Sequence, residues 1–248
     1  MSQNNSYRSR IYAKYATLMT DYVNPMDKKT LQRKFKAFRY YFRDWLPHDL
    51  EAPIIDVGCG AGYFLAFLKY LGYRNICGVD ISQEQVEFAK EKVPEAIIIK
   101  ENILNFLSKF TNEYNLITAI DFIEHLKKSE VIDFFELCHS ALKSGGQIIL
   151  QTPNMETPWG TCHRYGDFTH EIGLGPNSLK KIMTLTGFKK IEERECGPIP
   201  FGYSLTSTIR YILWQIIRMK LRFYNLIEMG GPGSGVFTRV FLIKGAKE

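Results

Sequence analysis

The 248-residue chain contains no uncharged apolar run of the ~18 residues that a membrane-spanning helix requires, so nothing in it reads as a transmembrane segment. Its five cysteines, Cys59, Cys77, Cys138, Cys162 and Cys196, include no C-x-x-C pair, which argues against a zinc site or a redox dithiol. Unpaired thiols suit a reducing compartment. The first residues, Met-Ser-Gln-Asn-Asn-Ser, are polar and lack the apolar core of a signal peptide. No internal repeat or low-complexity tract is present. The formal charge of +6 is modest and points to an anionic partner without identifying one. These absences leave a cytoplasmic α/β domain with added segments as the expectation.

The most informative stretch is Ile54-Ile-Asp-Val-Gly-Cys-Gly-Ala-Gly-Tyr63. A short apolar run ends in an acid and then in three alternating glycines. A second apolar run, Ile76-Cys-Gly-Val-Asp80, also ends in an acid. Strand, glycine-rich turn, helix and a second strand closed by a carboxylate make up a nucleotide-binding half-fold. Glycine lets backbone approach a ligand without a Cβ in the way. The second acid can accept hydrogen bonds from both hydroxyls of a ribose. The spacing G-x-G-x-G at Gly58, Gly60 and Gly62 departs from the G-x-G-x-x-G of dinucleotide folds, and no basic residue lies between Asp56 and Leu68 to meet a phosphate. A ligand with ribose and no phosphate fits this pattern better.

The string Asp56-Val-Gly-Cys-Gly-Ala-Gly62 resembles the first motif of the class I S-adenosylmethionine (SAM)-dependent methyltransferases. The resemblance implies SAM as cofactor and a seven-stranded Rossmann-like sheet, parallel with one antiparallel strand. Gly58, Gly60 and Gly62 would bracket the amino-acid end of SAM. Asp56 would contact it, order the glycine loop through backbone N–H groups, or both. Asp80 would take the ribose, Ile81 would pack on the adenine, and Asn102 with Ile103 would flank the adenine amino group. Asp121 would lie by the methionine part.

Hydrophobic pattern carries the same architecture along the chain. Strands are expected at 53–57, 76–80, 96–100, 115–120, 147–152, 188–194 and 236–243. Helices are expected at 62–71, 83–92, 103–109, 129–143 and 177–186. Continuous apolar strands alternating with helices indicate a parallel sheet covered on both faces. Residues 1–48 read as a helical cap, and 49–248 as the SAM-binding domain with a helical insertion at 197–235.

Methyl transfer to a hydroxyl needs a base within reach of the departing proton. Two places offer one. The first is Asp121-Phe-Ile-Glu-His125-Leu, where an E-H-L string common in the resembling enzymes makes His125 either the base or a structural cap. The second is His163-Arg-Tyr-Gly-Asp-Phe-Thr-His-Glu171, whose density of titratable groups suggests substrate contact. With Pro176-Asn-Ser-Leu179 behind it and Gly233–Thr238 near the end, it resembles methyltransferases encoded with surface-polysaccharide enzymes. That resemblance implies a sugar hydroxyl of a glycan, or of a nucleotide- or lipid-linked precursor, as acceptor. Asp167 or His170 is then a candidate base, with Arg164 clamping an anionic group and Glu171 contacting substrate. A loop held together by its own hydrogen bonds accounts for the same residues. No metal is expected, because Asp167, His170 and Glu171 are too close in sequence to converge without a special turn. A small aromatic or lipid-like acceptor is the rival enzyme reading. A non-catalytic SAM-binding subunit of a membrane-associated glycan complex is the rival from another class. No N-P-P-Y-type string follows the fourth strand, which argues against nucleic-acid base methylation.

The flanking segments carry two amphipathic patterns. Within a helical stretch at 7–47, Leu31, Phe35, Phe38, Phe42 and Trp45 form an apolar stripe surrounded by Lys28, Lys29, Arg33, Lys34, Lys36, Arg39 and Arg43. Tyr7, Tyr12 and Tyr15 are candidates for a lid over the cofactor. At 205–229, Tyr211, Gln215, Arg218 and Arg222 share one helical face, while Ile209, Ile212, Leu213, Ile216 and Met219 share the other, with Lys220 intruding. Either the apolar face packs over the active site or against a second subunit, or the helix lies in a membrane interface with Tyr211 and Trp214 at headgroup level.

Overall fold

The structure, a computed structural model, describes residues 7–18, 28–200 and 202–248. The part of the expected 7–47 helical stretch at 19–27 lies outside them. Seven strands run β1 (Ile54–Val57), β2 (Ile76–Asp80), β3 (Ile97–Lys100), β4 (Tyr114–Ile120), β5 (Leu142–Pro153), β6 (Lys189–Glu195) and β7 (Val240–Ala246). They form one sheet of order β3-β2-β1-β4-β5-β7-β6. The pairs among β1 to β5 are parallel, and β7 runs antiparallel to both β5 and β6. This is the Rossmann-like sheet expected from the sequence. Strand order reverses beside β1, and the crevice at such a switch point is where ligands of parallel sheets bind.

Helices cover both faces. On one, α3 (Lys28–Phe42), α4 (Tyr63–Tyr70) and α5 (Gln83–Lys92) close a core of Phe38, Phe42, Trp45, Phe64 and Phe67. On the other, α6 (Ile103–Leu107), α7 (Lys128–Ala141) and α9 (Pro176–Leu185) bury Phe106, Phe134, Phe135, Leu179 and Met183. The apolar stripe of α3 thus packs inward, leaving most of its basic residues at the surface. Two short helices, α1 (Tyr7–Tyr12) and α2 (Tyr15–Leu18), precede it, and α8 (Gly160–Gly166) forms between β5 and α9, where the hydrophobic pattern marks neither strand nor helix. A long α10 (Leu205–Met229) opens with Ser204, whose side chain accepts from Ser207 N, and closes at Gly230 in the left-handed conformation.

The last strand lies further along the chain than its pattern suggests. Val236, Phe237 and Thr238 are buried, as strand residues would be, yet pairing begins at Val240. The backbone N–H of Phe237 donates to the Glu195 carboxylate at 2.7 Å, and Thr238 Oγ1 donates to Val240 O at 2.6 Å. Side chains here supply partners that a ladder would otherwise provide.

Candidate active site

The parallel strands β1 to β5 end along one edge, and the segments that follow them enclose a cavity of about 390 Å³. The glycine loop after β1 forms one wall. Gly58 has φ 65°, and a Cβ there would meet the Phe122 ring at 2.4 Å. Gly60 has φ 50°, with only Gln85 Oε1, at 3.8 Å, near its missing Cβ. At Gly60 backbone is thereby exposed to the cavity, where a side chain would intervene, while at Gly58 the missing Cβ makes room for the Phe122 ring. Gly62, at φ 76°, caps α4 and packs against Ala89.

Asp80 organises this loop. Gly60 N donates to its Oδ2 at 2.9 Å, and Ser82 N donates to its Oδ1 at 2.8 Å. Burial nonetheless raises its pKa, against those backbone hydrogen bonds. Asp56 is buried beneath the cavity and accepts from Thr118 Oγ1 at 2.7 Å; burial pushes its pKa up to about 7. The carboxylate that binds a loop N–H is therefore Asp80 and not Asp56, for which loop ordering and ligand contact are expected singly or together. Ile81, Asn102 and Ile103 line the same cavity. Asn102 Oδ1 accepts from Leu104 N and Asn105 N at 3.0 and 3.3 Å as the cap of α6, which leaves the amide NH2 as its group for a ligand.

Asp121 follows β4 with a left-handed backbone, φ 51°. Gln151 Nε2 donates to both its oxygens at 3.1 Å, and burial raises its pKa. Lys34 reaches the cavity from α3. Burial lowers its pKa, with Asp121 opposing. It escaped the sequence reading because it was counted with the basic rim. Its spacing of four from Phe38 and Phe42 beyond places it on the inward stripe, and that was the available signal.

The segments after β4 and β5 build the opposite wall. Glu124, His125, His163, Asp167 and His170 all line the cavity. His125 Nδ1 lies 3.3 Å from Thr169 O and 2.9 Å from Thr169 Oγ1, and Thr169 Oγ1 donates to Asp167 Oδ1 at 2.6 Å. A carbonyl only accepts, so His125 carries its proton on Nδ1 and its lone pair on Nε2. His170 Nδ1 lies 2.7 Å from His163 O, which fixes the same tautomer. Burial, then the neighbouring His170, lowers the pKa of His125 to about 4, so its ring is neutral at physiological pH. Burial pushes Asp167 up, but hydrogen bonds from Thr169 outweigh it and its carboxyl stays below its ordinary range. Glu124 accepts from Thr152 Oγ1 at 3.0 Å, and burial raises its pKa well above the usual. Ligand atoms of Glu124, His125 and His170 lie within 4.8 Å of one another, a donor set that could hold a divalent cation.

Arg164 and Glu171 are engaged elsewhere. The Arg164 guanidinium donates to His170 O, and to Glu171 O at 2.8 Å, bracing the backbone that carries His170. The Glu171 carboxylate pairs with Arg8 at 3.2 Å. Arg8 also donates to both oxygens of Glu130, at 3.0 and 2.9 Å, and to His125 O. At the far end of the strap, Thr17 N and Oγ1 donate to Glu84 at 3.2 and 2.9 Å. Helices α1 and α2 thus stretch from the β4 side of the edge to the β2 side, and Tyr12 and Tyr15 face the cavity beneath them. Burial pushes the Tyr12 hydroxyl up to about 12. Tyr7 instead packs edge-on against Phe168.

The cavity suits SAM by its own features. The backbone at Gly60 is open, Asp80 sits beside it, and Gln85 Oε1 is buried with no hydrogen-bond partner among the described residues. Such an arrangement on such a sheet is the architecture of a class I methyltransferase. The family model described as a methyltransferase domain matches residues 26–193, and the chain belongs to that family. A curated relative, the mitochondrial ubiquinone biosynthesis O-methyltransferase of Candida albicans, is 25% identical over 155 residues, covering 59% of this chain and 47% of the relative. The sphingolipid C9-methyltransferase 1 of Gibberella zeae is 23% identical over 120 residues, covering 46% and 23%. The chain spans less than half the length of these two relatives. Among solved structures, a SAM-dependent methyltransferase from Archaeoglobus fulgidus superposes with a TM-score of 0.66 at 21% identity, covering 94% of this chain and all of that one. Phosphoethanolamine N-methyltransferase 2 of Haemonchus contortus, solved with SAM, gives 0.58 at 15% identity, covering 99% and 58%. These likenesses are of fold.

Proposed function

We propose that the protein transfers the methyl group of SAM to a hydroxyl oxygen, and that the hydroxyl belongs to a sugar on a lipid-linked glycan precursor. SAM, when bound, supplies a methyl group already activated by a sulfonium. The chain's own part is to hold donor and acceptor in line, which is worth roughly 7–11 kcal/mol in well-oriented reactions. Asp80 would hold the ribose, the glycine cradle the amino-acid end, and Lys34 the carboxylate of that end. Nε2 of His170 would take the proton of the hydroxyl as its oxygen accepts the methyl group. His125, with a pKa near 4, is too weak a base for that step and instead fixes Thr169 and Asp167 around it.

The observation that carries this reading is the pair of imidazoles whose Nδ1 atoms are committed to carbonyl oxygens, leaving Nε2 lone pairs in a cavity shared with the glycine cradle. Support for the sugar comes from the R-x-G-D-F-T-H-E resemblance at Arg164–Glu171. Support for a lipid carrier comes from the exposed apolar helix α10, and the relatives named for ubiquinone biosynthesis and for sphingolipid methylation agree with an apolar acceptor. The test is incubation with methyl-labelled SAM and extracted lipid-linked glycans. Label in an O-methyl sugar is expected. Label on nitrogen or carbon would refute the hydroxyl acceptor, and label on a lipid lacking sugar would move the acceptor to the carrier.

A further inference from the structure

Helix α10 is built inside out. Its half-buried positions are Thr208, Tyr211, Gln215, Arg218 and Asn225, with Trp214 and Leu221, and its one buried residue is Ser207. Polar contacts hold this inner face. Ser207 Oγ donates to Ile199 O at 2.7 Å, Arg218 pairs with Glu195 at 3.2 Å, and Asn225 Nδ2 donates to Pro232 O at 3.4 Å. The apolar residues point away from the protein. Ile209, Ile212, Leu213, Ile216, Phe223 and Ile227 are each 46 to 70% exposed. A 25-residue helix presents such a strip along about 37 Å. Apolar strips of this extent mark a surface that is covered in use.

Charge identifies the cover. Arg210 and Lys220 are exposed on or beside the strip, Arg222 is exposed on the Arg218 side of the helix, and Glu228 is the one acid in the helix. The chain leading into α10 touches α3, where Tyr203 OH donates to Arg33 O at 3.4 Å. Helix α3 has no acidic residue and exposes Arg33, Lys36 and Arg39. A second copy of the chain would bring like charges together, with Lys220 set among the apolar residues on both sides. An anionic bilayer removes both difficulties, because a lysine in an interfacial helix extends its stem and leaves its ammonium among the headgroups. We propose that α10 lies in the headgroup region of an anionic membrane and seats the enzyme there, with the basic surface of α3 alongside.

Topology gives this docking a consequence. Strand β6 ends at Glu195 and β7 begins at Val240, both at the edge where β1 to β5 end, and Val240 lines the cavity. The insertion therefore rises from the edge that carries the active site. A lipid-linked acceptor, on the reading proposed above, would arrive from the surface that α10 rests on. Membrane docking itself does not depend on that acceptor.

The experiment is sedimentation of the full chain with vesicles of phosphatidylcholine alone or with phosphatidylglycerol added. Binding to the anionic vesicles is expected, weakening with salt, and falling at least roughly tenfold in Arg210→Glu/Lys220→Glu and in Ile212→Asp/Phe223→Asp. S-adenosylhomocysteine affinity is expected to stay unchanged in both variants. Equal binding to both vesicle types, or full binding by either variant, would overturn the proposal. So would a stable dimer that Ile212→Asp/Phe223→Asp converts to monomer. Failure of sugar methylation with vesicle binding intact would count against the acceptor alone.

Discussion

The two halves of the cavity are built by different means. The donor half is local and largely backbone: one loop of five residues, held by a carboxylate twenty residues on through Gly60 N and Ser82 N. The acceptor half is made of side chains from two distant segments joined by His125 to Thr169, and the strap of α1 and α2, anchored by Arg8 to Glu130 and Glu171, spans both halves. Backbone cradles tolerate little change because glycine φ values and close approach fix their shape. Side-chain assemblies can be altered one residue at a time while the sheet beneath stays intact. Substitutions should therefore separate turnover from cofactor affinity according to the half they strike.

The largest separation is expected at His170. His170→Ala should lower kcat by about 10²–10⁴-fold, the usual range for a lost general base, with S-adenosylhomocysteine affinity unchanged by calorimetry. A comparable loss of both would mean that the halves are not independent. Asp80→Ala removes two charge-assisted hydrogen bonds and a ligand carboxylate, so cofactor affinity should fall about 100-fold or more. Arg8→Ala should release the strap of α1 and α2 and raise the KM for SAM by about tenfold, with a smaller effect on kcat, since partly buried charged hydrogen bonds contribute about 1.5–3 kcal/mol. A change in kcat alone would place Arg8 in the acceptor half only.

The smallest effect concerns pH and stability. Asp56 has a folded pKa raised to about 7, above the ordinary carboxylate value, so between those limits the folded state binds more protons than the unfolded. Its contribution to stability is present at low pH and is lost as pH rises through about 7. Asp56→Asn keeps an acceptor for Thr118 and cannot ionise, so its melting temperature should gain on the wild type as pH climbs from about 4 to 7. His125 acts in the opposite direction: with its folded pKa lowered to about 4, its contribution is complete above pH 6.5 and is lost as pH falls toward 4. His125→Gln should flatten the acid limb of the stability curve. A gain for Asp56→Asn that is independent of pH would show that burial of the charge is not the cause.

Legibility in the sequence followed the same division. Asp56–Gly62 and Asp80 lie within one strand-turn-helix-strand unit, where glycine spacing and strand ends are local signals, and the structure joins them as that unit implies. The bond between His125 and Thr169 spans 44 residues and the Arg8–Glu130 pair spans 122, so no pattern within a window could show either. Lys34 was misassigned to the rim because its place on the inward stripe competed with the charge run around it. Helices α3 and α10 teach a related point. Both are amphipathic and basic, yet α3 turns its apolar face to the core and α10 turns its apolar face to solvent. Periodicity defines two faces and cannot say which one the protein covers. What decides it for α10 is the polar partners waiting at Glu195, Ile199 and Pro232.

Calorimetric titration of S-adenosylhomocysteine into the wild-type chain, Asp80→Ala and His170→Ala tests the central claim most directly. One site per chain in the wild type, an affinity about 100-fold weaker or beyond detection in Asp80→Ala, and an unchanged affinity in His170→Ala are the predicted results. A folded wild-type protein that gives no binding heat, or an Asp80→Ala variant that binds as well as the wild type, would contradict the account.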